Sequence, residues 1–378
     1  MAWVEQRGTS FRVRYRKTDG SVGTDSSHPT RKTAEIRCKQ VDVDLALDTF
    51  LDPALGRITL AEWVDIWRPG HEAGHAKWAA YDSHLRIHIL PAFGDTPLTK
   101  ITRQHIKVFV KQLKSKLADS SVASVMSLLS LLMREAVHDR RIGYNPCTGV
   151  KVVTRRPPER PHATTRQVNT IADNIHRRAD QILVITAAYT GMRWGELAGL
   201  ARTNTHLGTG LIRVHPDVGA LHEVAGNLYL GPPKTTTSAR DIPLPPFLIT
   251  LLQEVLDSHD HQQVFCGARG AFLRRSSMSR RVFRPAVDGT KTTPPVIPGM
   301  HFHDLRHTHK TWLIEDDIPE VAQAERLGHR IPGVRGIYSH VTPAMRQRIV
   351  NALHQRWQST QPPVPDQLAV VRALRPAA

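Results

Sequence analysis

Polar and apolar positions alternate along one short stretch near the start of the chain. Phe11, Val13 and Tyr15 are interleaved with Arg12, Arg14 and Arg16, a period of two that predicts a β-strand with one apolar face and one guanidinium face. Asp19-Gly20 is a hairpin turn signal, and a helix is expected from about Thr33 to Asp48. From residue 58 the period changes to that of a helix. Leu60, Trp63, Val64 and Trp67 form one stripe, and Trp78, Tyr81, Leu85 and His88 another, stopped by Leu90-Pro91 and Phe93-Gly94. Two further helices are expected over Ile106–Leu117 and Val122–Asp139, and Asn145-Pro146 breaks the pattern. Residues 151–163 are rich in Pro and Arg and resist both helix and sheet. From 164 to 355 helices mix with a few strands, expected at Arg213–His215, Asn227–Leu230 and Ser238–Leu244. The loop before the last of these, Gly231 to Thr237, presents one lysine, Lys234. The segment 356–378 begins Pro-rich and carries Leu368, Val371 and Leu374 at helical spacing, a stripe that could dock on a neighbouring protomer. The pattern predicts a mainly α chain with small β elements, an α+β fold. Its segments are 1–57, 58–150, the linker 151–163, 164–355 and the tail 356–378.

Charge sharpens this picture. The 378 residues carry a formal net charge of +17, and the sequence pI is about 10.3. A surplus of this size points to a polyanionic partner, with nucleic acid the default. The arginine face of Arg12, Arg14 and Arg16 suits a phosphate backbone or a groove; the bland alternative is a solvated strand face. The basic residues opposite the helical stripes, Lys77, Arg86, Lys107 and Lys111, fit a DNA-facing side, as do Arg155 and Arg156 of the linker. The three cysteines, Cys38, Cys147 and Cys266, are far apart and include no CxxC pair, which argues for a reducing compartment and against a thiolate zinc site. The first residues lack the apolar core of a signal peptide, and no stretch reads as a membrane span. A cytoplasmic protein with no membrane partner is expected.

The chemistry-bearing residues cluster late. In Thr190-Gly191-Met192-Arg193-Trp194-Gly195-Glu196-Leu197, the glycines allow tight backbone geometry around Arg193, and Glu196 stands three residues on, placed to orient the guanidinium or simply to pair with it. His303 and Arg306 share a helix face, and His307 follows one turn after His303. Histidines at that spacing can also ligate zinc, but no HExxH pattern accompanies them and Arg306 would repel a cation; no metal and no other cofactor is expected. Leu327-Gly328-His329 and Tyr338-Ser339-His340 complete the set. Arginine grips phosphate with a planar fork, histidine moves protons near neutral pH, and a tyrosine phenol can hold a covalent intermediate.

In these motifs the chain resembles the tyrosine recombinases of the phage integrase type. That family carries an Arg in a TG-x-R-x-x-E-L context, a Lys on a β-hairpin, H-x-x-R, L-G-H and Y-x-H. Arg193, Lys234, His303, Arg306, His329 and Tyr338 match these in order, with Glu196 in support. Tyr338 lies nine positions after His329, a slightly shorter interval than in many members, and the interval includes Pro332-Gly333. The resemblance implies a three-stranded arm-type DNA-binding domain over 1–57, a helical, SAM-like core-binding domain over 58–150 and a catalytic domain with a β-hairpin over 164–355. It implies a site-specific recombinase that integrates and excises a phage or other mobile element. DNA would be cut and rejoined through a 3′-phosphotyrosyl intermediate with Tyr338 as nucleophile. Double-stranded attachment-site DNA, a homotetramer on that DNA and a directionality factor or DNA-bending protein are the partners it implies, in the cytoplasm and nucleoid of a bacterial host. A DNA-binding protein without catalysis and a type IB topoisomerase-like nicking enzyme are the alternatives in other classes.

Overall fold

The computed structural model describes residues 1–361 except 18, 154, 156–158 and 332–339. Tyr338, Arg156 and the apolar positions of the tail lie outside the described residues. The chain divides into two compact units, 1–157 and 158–378.

The first unit holds two hydrophobic clusters. β1 (Ala2–Arg7), β2 (Ser10–Arg16) and β3 (Val22–His28) form an antiparallel sheet in the order β1-β2-β3. Val13 and Tyr15 face inward, onto Ala34 and Val41 of α1 (Arg31–Ala46), so the alternation read from the sequence sets the sheet's two faces. Arg12, Arg14 and Arg16 point the other way. Arg14 is already engaged, 3.5 Å from Glu5 and donating to Thr24 at 2.7 Å. Thr30 caps α1 by accepting from the Thr33 amide.

The second cluster is helical. α2 (Leu60–Trp67) opens with a capping box between Thr59 and Glu62. α3 (His75–His84) runs through a π turn at Leu85–Ile89 into α4 (Leu90–Phe93). Leu90-Pro91 therefore does not stop the helix: Pro91 follows directly on the π turn, in which the Leu90 amide donates to the Leu85 carbonyl, and the helix continues to Phe93. α5 (Arg103–Lys114) and α6 (Asp119–His138) complete the bundle. α6 is long and apolar enough to cross a membrane by length and composition, which the sequence pattern did not suggest. Its apolar face, including Val122, Val125, Leu129, Leu132 and Met133, is spent inside the helical core around Trp63 and Ile89.

In the second unit α7 (Thr165–Asp173) leads into α8 (Arg178–Thr190), whose residues from Ile182 to Thr190 are all buried. A helix apolar all round belongs at the centre of a core, and the other elements pack about it. α9 (Trp194–Ala198) follows. β4 (Thr205–His206), β5 (Leu211–Val214) and β8 (Arg240–Pro243) make one sheet; β6 (Ala220–Val224) and β7 (Asn227–Gly231) make a separate hairpin. The hairpin turns at Ala225 and Gly226, both with positive φ, as a tight two-residue turn requires. Lys234 is not in that turn. It follows β7, in the crossing to β8 of the other sheet. Among the described residues the remaining helices are α10 (Pro246–Asp257), α11 (Arg275–Met278), α12 (Arg284–Asp288), α13 (Asp304–Glu315), α14 (Glu320–Leu327) and α15 (Pro343–Gln358). α15 runs across residue 356. Arg356 binds Asp316 at 2.7 Å, and Trp357 stacks on Phe247 at 4.3 Å.

Candidate active site

α8 ends at Gly191, whose φ of 65° is left-handed. A Cβ there would lie 2.7 Å from both His309 and Leu327, so the turn requires glycine on two counts. The reversal makes Arg193 the N-cap of α9. Glu196 accepts from the Arg193 backbone amide at 3.0 Å and from its Nη1 at 2.8 Å. The ion pair foreseen as a bland alternative is thus present, and it fixes the guanidinium. Arg193 Nη1 also donates to Ser238 Oγ at 2.8 Å and Nη2 to the Gly328 carbonyl at 3.4 Å.

Arg306 lies in the first turns of α13, 6% exposed. Its Nη1 donates to the Gly191 carbonyl at 2.6 Å; Nη2 donates to the Leu327 carbonyl and to His329 Nε2, the latter at 2.8 Å. Burial, and then the nearby Arg193, push the Arg306 guanidinium down to about 9, still charged at neutral pH. Burial and then the Arg306 and Arg193 cations push the His329 imidazole down to about 4. It is therefore neutral, with Nε2 the acceptor and the proton on Nδ1. Gly328, φ 64°, ends α14 and aims the His329 turn; a Cβ on it would meet Ser238 Cα at 2.9 Å.

His303 is the N-cap of α13, one residue before the helix proper. Partial desolvation and then the charges of His307 and Arg306 lower its affinity for a proton. The buried Asp304 beside it accepts from the His301 amide at 2.8 Å and pairs with Arg160 at 3.1 Å, tying the end of the linker to the helix start. Lys234 is exposed and makes no hydrogen bond or ion pair among the described residues. The structure brings the Arg193–Glu196 pair and the Arg306–His329 pair into one set, joined through the adjacent Leu327 and Gly328 carbonyls. Lys234 is joined to the set only through the far end of its loop, at Ser238. Among the described residues no group of three His, Cys, Asp or Glu side chains is arranged to hold a metal ion.

Several members of the site escaped sequence reasoning. Arg240, its side chain 4% exposed, donates to Glu196 at 3.1 Å, to the Arg326 carbonyl at 2.7 Å and to the Ser238 carbonyl at 2.7 Å. Burial alone would raise the Glu196 carboxyl, but Arg240 and Arg193 outweigh it and hold it below the usual range. Arg326 is buried and donates to His309 Nε2 at 3.0 Å and to the carbonyls of Pro243 and Tyr189, each at 2.9 Å. His309, fully buried and held neutral by desolvation and then by Arg326, donates from Nδ1 to the Ala188 carbonyl at 2.8 Å. The signal was one of phase. Arg240 shares the inward face of β8 with the buried Ile242, two residues on, and His309 lies on the stripe of Leu305, Trp312 and Leu313.

Of the residues expected to face DNA, Arg16, Lys77, Arg86, Lys107, Lys111 and Arg155 are exposed and Arg12 is half-buried. Lys77 lies over the Tyr81 ring at 5.4 Å.

The chain is similar to known proteins in sequence and in fold. A model of the phage integrase family matches residues 162–345, and one of the phage integrase N-terminal SAM-like domain matches 59–114. A protein described as tyrosine recombinase XerC-like, from Caldanaerobacter subterraneus subsp. tengcongensis, is 26% identical, covering 86% of this chain and 90% of its own. Among solved structures, the Tn1549 transposon integrase in complex with a circular intermediate DNA superposes with a TM-score of 0.64 at 18% identity, over 78% of this chain and 99% of that one. A lambda integrase tetramer bound to a Holliday junction superposes with a TM-score of 0.54 at 17% identity, over 90% of this chain and 98% of that one.

Proposed function

Because the chain belongs to the phage integrase family of tyrosine recombinases, enzymes that break and rejoin DNA, we propose that Arg193, Arg306, His329, Lys234, His303 and Tyr338 form the centre at which it does so. The observation that carries this reading is the pair of guanidiniums, Arg193 and Arg306, fixed against the carbonyls of Gly328 and Gly191 with neutral His329 beside them. Two cations held rigid in a partly dry site stabilise the charge that builds up on a phosphoryl group in its transition state.

The chemistry follows from the groups. Arg193 and Arg306 grip the two non-bridging oxygens of the scissile phosphate, and His329 donates a further hydrogen bond. The Tyr338 oxygen attacks phosphorus and its phenolic proton passes to His303, whose lowered proton affinity keeps it unprotonated and ready to accept. The bond from phosphorus to the 5′ oxygen breaks, and that oxygen takes a proton from the Lys234 ammonium. A 3′-phosphotyrosyl link and a free 5′ hydroxyl result. The bond energy stays in the link, so attack by a second 5′ hydroxyl reverses the step on a new strand without nucleotide hydrolysis.

On this reading the substrate is double-stranded attachment-site DNA, and the outcome is integration or excision of a phage or other mobile element. Exchange between two duplexes needs four cleavages, which four protomers on the DNA supply; a directionality factor or DNA-bending protein would bias the direction. Arg12, Arg16, Lys77, Arg86, Lys107, Lys111, Arg155 and Arg156 supply backbone contacts, while Arg14 stays engaged with Glu5 and Thr24. The working compartment is the cytoplasm of a bacterial host, on nucleoid DNA.

The decisive experiment uses a nicked suicide substrate that traps the covalent complex. Wild-type protein is expected to accumulate a protein–DNA adduct, and Tyr338→Phe to bind the same DNA without forming one. An adduct in the Tyr338→Phe protein would overturn the assignment.

A further inference from the structure

The loop that carries Lys234 is anchored at its far end by one buried serine. Ser238 is fully buried. Its hydroxyl accepts from Arg193 Nη1 at 2.8 Å and lies 2.8 Å from Thr235 Oγ1, which lies 3.1 Å from Thr237 Oγ1. A guanidinium only donates, so the Ser238 oxygen must accept from it. The serine's own proton then needs an acceptor, and among the described residues Thr235 Oγ1 is the one in reach. A directed chain results, from the Arg193 guanidinium through Ser238 to the residue next to Lys234. The backbone reinforces it: the Ser238 amide donates to the Thr235 carbonyl at 2.9 Å, and the Ser238 carbonyl accepts from Arg240 at 2.7 Å. Gly328 packs on the same residue, with room for no Cβ.

The geometry points to Ser238 and Thr235 as positioning residues that hold the Lys234 loop in register with Arg193, so that the phosphate-gripping arginine and the proton donor are placed together. Neither touches the reacting atoms. The inference rests on Lys234 acting as the acid for the leaving 5′ oxygen. An exposed lysine on a loop is otherwise free to wander, and an acid displaced by about 1 Å loses on the order of 100-fold in rate.

The test separates positioning from folding by changing the leaving group. In a substrate whose scissile 5′ oxygen is replaced by sulfur, the phosphorus–sulfur bond breaks and the thiolate leaves without a proton, so no acid is needed. Ser238→Ala and Thr235→Val remove one hydroxyl each with little change in volume. Each is expected to cleave the ordinary phosphodiester about 10- to 100-fold more slowly than wild type, and the sulfur substrate within about 2-fold of it. Lys234→Ala serves as the reference and should show the same rescue by sulfur, with a larger loss on oxygen. Equal losses on the two substrates for Ser238→Ala, or no loss on either, would overturn the relay while Lys234→Ala rescue stands. If Lys234→Ala itself is not rescued, the acid assignment fails first and takes the relay with it. Circular dichroism and binding to an uncleaved site, unchanged in Ser238→Ala and Thr235→Val, exclude unfolding as the source of a loss.

Discussion

His329 carries the sharpest consequence at the scale of single residues. A free imidazole protonates near 6.5, but here burial and two arginines lower that to about 4. The folded state therefore favours the neutral ring. Its contribution to stability is complete above the unfolded value and is lost as pH falls from about 6.5 toward 4. Between pH 5 and 8 the His329 ring is expected to show no titration by nitrogen-edited NMR, with the proton on Nδ1 throughout. An inflection near 6.5, or a proton on Nε2, would mean that Arg306 does not donate to this ring. The same residue shows how far sequence reasoning reached. Leu327-Gly328-His329 was legible as a motif, and the glycine between two chemical residues was a fair sign of a turn. The protonation state was not legible, because it depends on Arg306 and Arg193, which are distant along the chain and adjacent only in the fold.

At the scale of elements, the helices declared themselves wherever the apolar stripe was clean, as in α2, α5 and α6, and hid where a polar residue stood in the stripe. His309 and Arg326 occupy core positions of α13 and α14 and were passed over because buried histidine and arginine are rare unless paired. Here each satisfies the other. β6 was missed for a related reason: Ala220 to Val224 lacks clean alternation, and its turn, Ala225-Gly226, lacks the asparagine or aspartate that usually marks one. One junction between elements bears on the proposed function. Glu325 in the last turn of α14 and Arg346 in the first turn of α15 form a two-pronged pair, 2.7 and 2.9 Å long. On the proposed reading, in which Tyr338 is the nucleophile, the pair ties together the helices that precede and follow it in the chain. Both side chains are partly exposed, and a double-mutant cycle with Glu325→Gln and Arg346→Gln should give a coupling of about 0.5 kcal/mol in urea unfolding. In the suicide-substrate assay the coupling should be larger than in unfolding. Equal coupling in both would make the pair a structural contact and nothing more.

Across the whole molecule the governing quantity is charge. A net +17 is visible in the sequence and points to a polyanionic partner, but not to where it would bind. The structure divides the cations into spent and available. Arg193, Arg240, Arg306 and Arg326 are committed to the site, Arg14 is paired with Glu5, and Lys114 donates to the Val153 carbonyl at 2.8 Å. Lys107 and Lys111, one turn apart on α5, are exposed and make no ion pair among the described residues. If they meet duplex phosphates, each contact releases a counterion, and the slope of log affinity against log salt falls by about 0.9 per lysine removed. Lys107→Ala/Lys111→Ala should therefore flatten the slope by about 1.8, so that the mutant's deficit shrinks by about tenfold between 50 and 200 mM salt. The loss should be the same on attachment-site and unrelated DNA, since phosphate contacts carry no sequence information. An unchanged slope would place these lysines on a solvated face of the helix; a loss confined to the attachment site would make them readers of bases.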